Sequence, residues 1–308
     1  MTEPLFEGIL PVWKPRGFTS HDVVAKVRGI LRIKRIGHTG TLDPQVEGVL
    51  PLCIGRATRL VEYIQELPKV YEAMLKIGIS TDTEDASGQI TDQVDQVHLT
   101  QQLVIDAVHS FRGDIDQVPP MYSAVKVDGK RLYELARQGI KVERKSRTVT
   151  IYEIEILNMD LDLAHPEIKF RVKCSKGTYI RTLCVDIGKK LGFPSIMSHL
   201  VRTSTGSIEQ EQCLTFEQIE HLHKQRLLID QLIPIDKALA HMQSIQLDAG
   251  QTRKALLGQK LAFALENHSF SAAHEQQLVA AYSADSRFLG IFQWDKDTSE
   301  LQPVKVFS

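Results

Sequence analysis

Segments with a helical apolar period and segments with a two-residue period follow one another along this chain in no regular order. A doubly wound parallel sheet needs a strand–helix–strand rhythm, and its absence points to the α+β class. Residues 20–33 carry Val23, Val24, Val27, Ile30 and Leu31 at helical spacing behind Thr19 or Ser20 as the cap. Residues 100–111 repeat the pattern with Leu103, Val104, Ala107, Val108 and Phe111, and Gly113 is placed to end it. Residues 178–191 do so with Ile180, Leu183, Cys184, Ile187 and Leu191 ahead of Gly192. Thr215-Phe-Glu-Gln218 is a capping box, with Leu214 and Ile219 as its staple. Residues 130–138 form a short basic helix before Gly139. Residues 70–79 set Tyr71, Ala73, Leu75 and Ile77 on one face of a strand, and 148–157 and 169–175 are two further strands.

After about residue 243 short strands dominate, at 278–282, 288–294 and 301–307, the last entered by a turn from Asp295 to Ser299. Two units are therefore expected, a mixed unit over 1–243 and a small β-rich unit over 244–308, which suits a chain of 308 residues. Four cysteines without a CxxC pair give neither a disulfide framework nor a structural zinc site, and they fit a reducing, cytoplasmic setting. The stretch from Met1 to Glu7 lacks the basic and apolar regions of a secretory leader. No apolar run approaches the roughly 18 residues of a membrane span.

The formal net charge is −1, which excludes a uniformly basic surface. The charge is segregated, however. Residues 11–59 hold nine Lys/Arg and three Asp/Glu, residues 119–147 hold eight and three, and residues 81–117 hold one Arg and eight Asp/Glu. Such blocks either give the fold a basic face suited to a polyanion or decorate ordinary solvated surface. Tyr122 and Tyr133 lie among the cations of 119–147, an interleaving that suits RNA backbone and base contact.

Chemistry concentrates in Gly37-His-Thr-Gly-Thr-Leu-Asp-Pro44, followed by Gly48-Val-Leu-Pro51, which together read as a rigid polar loop. No Gly-Lys-Ser/Thr follows, so this is not a phosphate-binding P-loop. Asp43 before Pro44 is a nucleophile, a base, or the acceptor of an Asx-turn. His38 has no Ser or Cys in a triad pattern and either makes one backbone hydrogen bond or presents a flat ring to a base. Arg181, in Lys176-Gly-Thr-Tyr-Ile-Arg181, falls in the first turn of a helix, where the dipole disfavours a cation. It gains there from a carboxylate, with Asp43, Asp186 and solvent as the alternatives, and a bidentate pair would orient an aspartate and keep it ionised. Tyr71 reads as a core or a pocket tyrosine, and Leu200 as a core leucine.

Five segments in order, Lys14-Pro-Arg-Gly-Phe-Thr-Ser20, Gly37 to Pro44, Leu50-Pro-Leu-Cys-Ile-Gly-Arg-Ala-Thr58, Pro119-Pro-Met-Tyr-Ser-Ala-Val-Lys126 and Lys176 to Arg181, resemble the TruB family of tRNA pseudouridine synthases. The match runs over about 7–210, and the tail more loosely resembles a PUA-like RNA-binding domain. The resemblance implies a pseudouridine synthase catalytic domain, with a curved antiparallel sheet and flanking helices, over 1–243. It implies a basic RNA-binding insertion at 119–147 and a PUA-like domain at 244–308. It also implies isomerisation of the T-loop uridine at tRNA position 55, on the T-arm stem-loop of tRNA, by a cytoplasmic monomer using no metal and no organic cofactor. By motif position Asp43 is the nucleophile, Arg181 pairs with it and Tyr71 stacks on the target base. His38 stands where the family wedges the T loop, Tyr179 and Leu200 where it lines the uracil pocket, and Lys14 under the floor. Gln45-Val46-Glu47 departs from a stretch usually small and less acidic, which bears on packing behind Asp43. A non-catalytic RNA-binding module would explain the basic blocks without needing Asp43, Arg181 and a pocket tyrosine together. A hydrolase using Asp43 and His38 would leave the basic blocks unexplained.

Overall fold

A computed structural model describes residues 6–262, 276–295 and 297–307. Part of the N-terminal stretch read for a leader, Lys296 of the expected turn and part of the tail lie outside the described residues. The first half runs β1 (Gly8–Lys14), α1 (Ser20–Leu31), β2 (Ile36–His38), β3 (Glu47–Ile54), α2 (Val61–Glu66), β4 (Lys69–Ile77), β5 (Ile79–Thr81), β6 (Ile90–Gln93) and α3 (Gln101–His109). It continues with β7 (Gly113–Gln117), β8 (Lys126–Val127), β9 (Lys130–Arg131), α4 (Leu132–Arg137), β10 (Arg147–Asp160), β11 (Glu167–Cys174), α5 (Ile180–Leu191), β12 (Ser195–Thr205), β13 (Ile208–Glu209) and α6 (Phe216–Lys224). The tail holds β14 (Gln243–Leu247), α7 (Ala249–Leu256), β15 (Leu261–Ala262), β16 (Gln276–Ser283), β17 (Phe288–Asp295) and β18 (Glu300–Val306).

Among the described residues the main sheet has nine strands, in the order β1-β3-β12-β4-β11-β10-β7, with β2 on β3 and β13 on β12. Its pairings are antiparallel except β12 with β3, where Val201 faces Glu47 and Arg202 faces Gly48. Helices α3 and α5 cover one side through Val104, Val108, Ile180, Leu183, Cys184 and Ile187, packed on Leu75, Ile154, Phe170 and Val172. Each such aliphatic side chain contributes about 1.5–3 kcal/mol on burial. Helices α1 and α6 cover β1 and β3 with Val23, Val27, Leu31, Phe216 and Ile219.

Local signals act here as the sequence dictates. Thr19 caps α1 and Thr215 caps α6, each in a reciprocal capping box, and Gly192 ends α5 with φ 83°, a left-handed conformation that costs glycine little. Three expectations need correction. Gly113 opens β7 instead of closing the helix before it, which already ends at Ser110, and Leu103 is 55% exposed because Val104, Ala107 and Val108 take the buried face. Gly48-Val-Leu-Pro51 belongs to the buried strand β3 and not to a loop; Pro51 sits opposite Pro11, and a strand buried on both faces reads as an apolar run without alternation. The acidic block is not simply an outer face: Asp82 and Asp85 accept hydrogen bonds within the Thr81–Gln89 turn, and the half-buried Glu84 accepts from Thr182 Oγ1 on α5.

A second sheet, in the order β14-β16-β17-β18-β15, is built by the tail around Ile245, Val279, Phe292, Trp294 and Leu301. It rests against the body. Ile291 and Phe307 share a buried cluster with Ala57, Leu60 and Ile64, Arg59 stacks 5.0 Å over the Phe307 ring, and Lys305 pairs with Glu62 at 2.9 Å.

Candidate active site

The pivot of the site is β12. Lying between β4 and β3, it brings Leu200 and Arg202 between the strand that carries Tyr71 and the loop that carries Asp43. Gly48 is required at this crossing, since a Cβ there would stand 2.2 Å from the Arg202 carbonyl oxygen. A cleft of about 300 Å³ opens above, at the lower end of the range for small-molecule sites. Its lining includes Asp43, Lys69, Tyr71, Ser123, Tyr179, Arg181, Leu200 and Arg202.

The loop between β2 and β3 is pinned at many points. Thr39 donates through N and Oγ1 to the Pro51 carbonyl, and the Leu42 N–H donates to Ser20 Oγ at 2.9 Å. Gly17 N–H reaches the Pro44 carbonyl at 2.8 Å. Lys14, fully buried, donates through Nζ to the carbonyls of Pro15, Pro44 and Val46. Desolvation pulls the Lys14 ammonium down to about 8, the Arg202 charge adding and Asp43 opposing, so it remains largely charged at neutral pH. The departure at Gln45-Val46-Glu47 is accommodated here: Val46 is buried, and Gln45 Oε1 accepts from Arg16 Nε at 3.2 Å.

With its backbone held, Asp43 turns its carboxylate into the cleft and keeps 40% of the side chain exposed. Arg181 Nε lies 3.0 Å from Asp43 Oδ2. The Arg181 alternative of a solvated surface cation is excluded, because the residue is 4% exposed. The pair is not bidentate as expected. The other two guanidinium nitrogens donate to the carbonyls of Thr83 at 3.0 Å and Tyr122 at 2.8 Å, so the fork is spread over three acceptors and locked in place. Recession in the cleft raises the Asp43 carboxyl above the ordinary aspartate value, Arg181 and Lys14 oppose the rise, and Asp85 adds to it.

Tyr71 faces Arg202 across the β4–β12 pair, close to its guanidinium charge. Burial pushes the phenol up, which keeps it neutral. Tyr179 is the residue before α5; the buried Gln117 amide accepts from its N–H at 2.8 Å and donates to its carbonyl at 3.0 Å. Leu200 is both core and cleft wall. Lys69, also cleft-lining, donates to the carbonyls of Gln65 and Leu67 at the end of α2, and desolvation pulls it down to about 8. Sequence reasoning missed Gln117, Lys69 and Arg202. The signal for Arg202 was there, since it shares the two-residue period with Leu200.

His38 is at the end of β2 and outside the cleft lining. Its Nδ1 accepts from Gly40 N–H at 3.4 Å, and its ring packs edge-on to His21 at 5.1 Å. Desolvation first and the His21 and Arg202 charges next pull it down to about 4, so it is neutral at physiological pH. The basic segment forms the β8–β9 hairpin and α4; Arg131 and Arg137 flank the Tyr133 ring at 5.8 and 5.4 Å. It joins the site through the Tyr122 carbonyl on Arg181. Among the described residues no group of three His, Cys, Asp or Glu is placed to hold a metal, and no helix is long and apolar enough to cross a membrane.

Comparison with known proteins gives a consistent picture. Residues 28–180 match the TruB family pseudouridylate synthase (N terminal domain), and residues 181–240 match the tRNA pseudouridylate synthase B C-terminal domain. The chain is 42% identical to tRNA pseudouridine synthase B of Bacillus pumilus (strain SAFR-032), over 99% of this chain and 98% of that protein. It is 45% identical to tRNA pseudouridine synthase B of Staphylococcus aureus (strain Newman), over 99% of this chain and 100% of that protein. The fold is similar to chains in an H/ACA RNP bound to a substrate RNA containing 2'-deoxyuridine (TM-score 0.74, 23% identity, 99% of this chain and 86% of that one). It is likewise similar to a chain in a Cbf5-Nop10-Gar1 complex (TM-score 0.72, 25% identity, 98% of this chain and 84% of that one).

Proposed function

Because the chain belongs to the TruB family of pseudouridylate synthases, we propose that it isomerises the T-loop uridine at position 55 of tRNA, with Asp43 as nucleophile. The reaction class follows from the family: uridine in tRNA becomes pseudouridine. The single observation that carries the finer reading is the Asp43–Arg181 contact at 3.0 Å inside a cleft walled by Tyr71, Tyr179 and Leu200.

Isomerisation breaks the C1′–N1 bond, forms a C1′–C5 bond, adds a proton at N1 and releases the hydrogen of C5. The balance needs no redox partner. It needs an ionised carboxylate at the glycosidic bond, whether that carboxylate first attacks C6 of the base or C1′ of the ribose, and a closed site in which the detached base turns over. Arg181 keeps Asp43 ionised and aimed. The neutral Tyr71 ring offers a stacking face for the flipped base, and Leu200 and Tyr179 supply apolar and edge contacts. Extruding the base costs roughly a few kcal/mol, which contacts to the remainder of the T arm must offset. The neutral His38 ring is suited to wedge into the loop and not to bind phosphate as a cation. Cations at 119–147 supply phosphate contacts, and the tail sheet acts as a PUA-like RNA-binding domain. The protein acts as a monomer in the cytoplasm. A hydrolase built on Asp43 and His38 is disfavoured by geometry, since His38 turns to Gly40 and His21.

The test is release of tritium from C5-labelled uridine in an isolated T-arm hairpin, with chelator present. Release from the position-55 uridine, and none when that uridine is replaced by cytidine, supports the reading. Full activity without the T arm would overturn the site assignment, and loss restored only by a divalent metal would overturn the metal-free mechanism. Replacing the exposed α7 cations Arg253 and Lys254 by alanine should weaken full-tRNA binding more than hairpin binding; an unchanged affinity ratio would make the tail a structural cap.

A further inference from the structure

Among the described residues Arg202 is the largest fully buried side chain, and its charge is not matched by an ion pair to any carboxylate there. An unpaired buried guanidinium is costly, and such a residue persists where its geometry is used. Its donors go to two backbone carbonyls: Nε donates to that of Val49 at 2.7 Å, and one terminal nitrogen reaches that of Gly40 at 3.4 Å. Gly40 lies in the loop three residues before Asp43 and Val49 lies in β3 six residues after it, so the two carbonyls bracket the segment that presents the carboxylate. Tyr71 is on another strand, held opposite Arg202 by the β4–β12 register. One planar fork on β12 thus holds the backbone on both sides of Asp43, from a residue that sits opposite Tyr71 in the β4–β12 register.

We propose that Arg202 is a positioning residue for the isomerisation: it fixes the distance and angle between the Asp43 carboxylate and the Tyr71 ring, and so between the nucleophile and the base stacked on that ring. This rests on the roles proposed above for Asp43 and Tyr71. Arg181 cannot substitute for it, because its own donors are spent on Asp43, Thr83 and Tyr122. Lysine cannot either. A point charge with a flexible stem lacks the planar fork that reaches two carbonyls at once. Misplacement of a reacting group by about 1 Å is enough to cost roughly 100-fold in rate.

The experiment compares wild type, Arg202→Met and Arg202→Lys in single-turnover tritium release from the T-arm hairpin, with hairpin Kd and Tm measured on the same samples. A positioning role predicts a rate constant lowered about 100-fold in Arg202→Met at saturating RNA, with Kd changed by less than about threefold. Arg202→Lys, which keeps the charge and the fold, should still be lowered at least about tenfold. If Arg202→Met does not fold, Arg202→Lys decides the matter alone. In a Tyr71→Ala background Arg202→Lys should cost less than in wild type, because the ring whose place it fixes is already gone. Rates within about threefold of wild type in the folded variants, or losses that appear only in Kd and Tm, would overturn the proposal. Additive losses in the double variant would overturn the link to Tyr71. Wild-type turnover reports separately on the activity itself, and without it the positioning role falls as well.

Discussion

Removing the Arg181 charge should move the acid limb of the reaction. As the proposed nucleophile Asp43 can attack only in its ionised form, so activity should disappear as pH falls through the carboxyl's pKa in the site. Burial already raises that pKa, and Arg181 is the strongest influence holding it down. Two unit charges about 4 Å apart interact by about 4 kcal/mol at an effective dielectric of about 20. Asp43 keeps 40% of its side chain toward solvent, and screening reduces the interaction to roughly 1–3 kcal/mol, or about 1–2 pH units. Arg181→Met should therefore shift the acid limb of the single-turnover rate upward by about 1–2 units, on top of a loss of about 1000-fold at the optimum from lost aim and charge. Arg181→Lys separates the two effects. It keeps a positive charge but cannot reach Asp43, the Thr83 carbonyl and the Tyr122 carbonyl together, so it should lose rate with little shift of the limb. The assay is tritium release from the T-arm hairpin between about pH 5 and 9, with Tm recorded at each pH. Superimposable acid limbs for wild type and Arg181→Met would refute the electrostatic role.

Asp43→Asn should abolish turnover while T-arm binding by filter retention stays within about threefold of wild type; residual activity within tenfold would remove Asp43 from the nucleophile role. Lys130→Ala with Arg131→Ala should raise KM more than it lowers kcat, uniformly across T-loop sequences, and reduce the salt slope of binding by about 1.5, as for two lost phosphate contacts. An unchanged slope would mark that hairpin as solvated surface. His38 should titrate near pH 4 by histidine-resolved NMR. Its folded pKa lies below its unfolded value, so the unfolded chain binds more protons between about pH 4 and 6.5, and His38 contributes stability that is lost as pH falls through that window. A midpoint near the ordinary histidine value would show that the ring is solvated.

Local order was legible where a side chain acts on its own neighbours. Thr19, Thr215 and Gly192 mark helix ends because capping satisfies backbone groups within four residues, and their positions hold in the fold. Strand β3 was illegible for the opposite reason: buried on both faces and carrying Pro51, it has neither alternation nor a turn-free composition. The same division runs through the site. Asp43 and Arg181 stand out because a carboxylate in a glycine-rich loop and a cation at a helix start are local anomalies, each of which needs an explanation. That the two meet at 3.0 Å is a long-range fact, set by the β12–β4 and β12–β3 pairings, and no spacing in the sequence encodes it. Lys69, Gln117 and Arg202 look like ordinary strand residues for the same reason. Each becomes meaningful only when its donors are traced to partners: Lys69 to the end of α2, Gln117 on β7 to the Tyr179 backbone ahead of α5, Arg202 on β12 to the backbone on either side of Asp43. A buried polar group must spend its hydrogen bonds somewhere, and tracing where they go is what separates a scaffold residue from one that holds the nucleophile and the base in register.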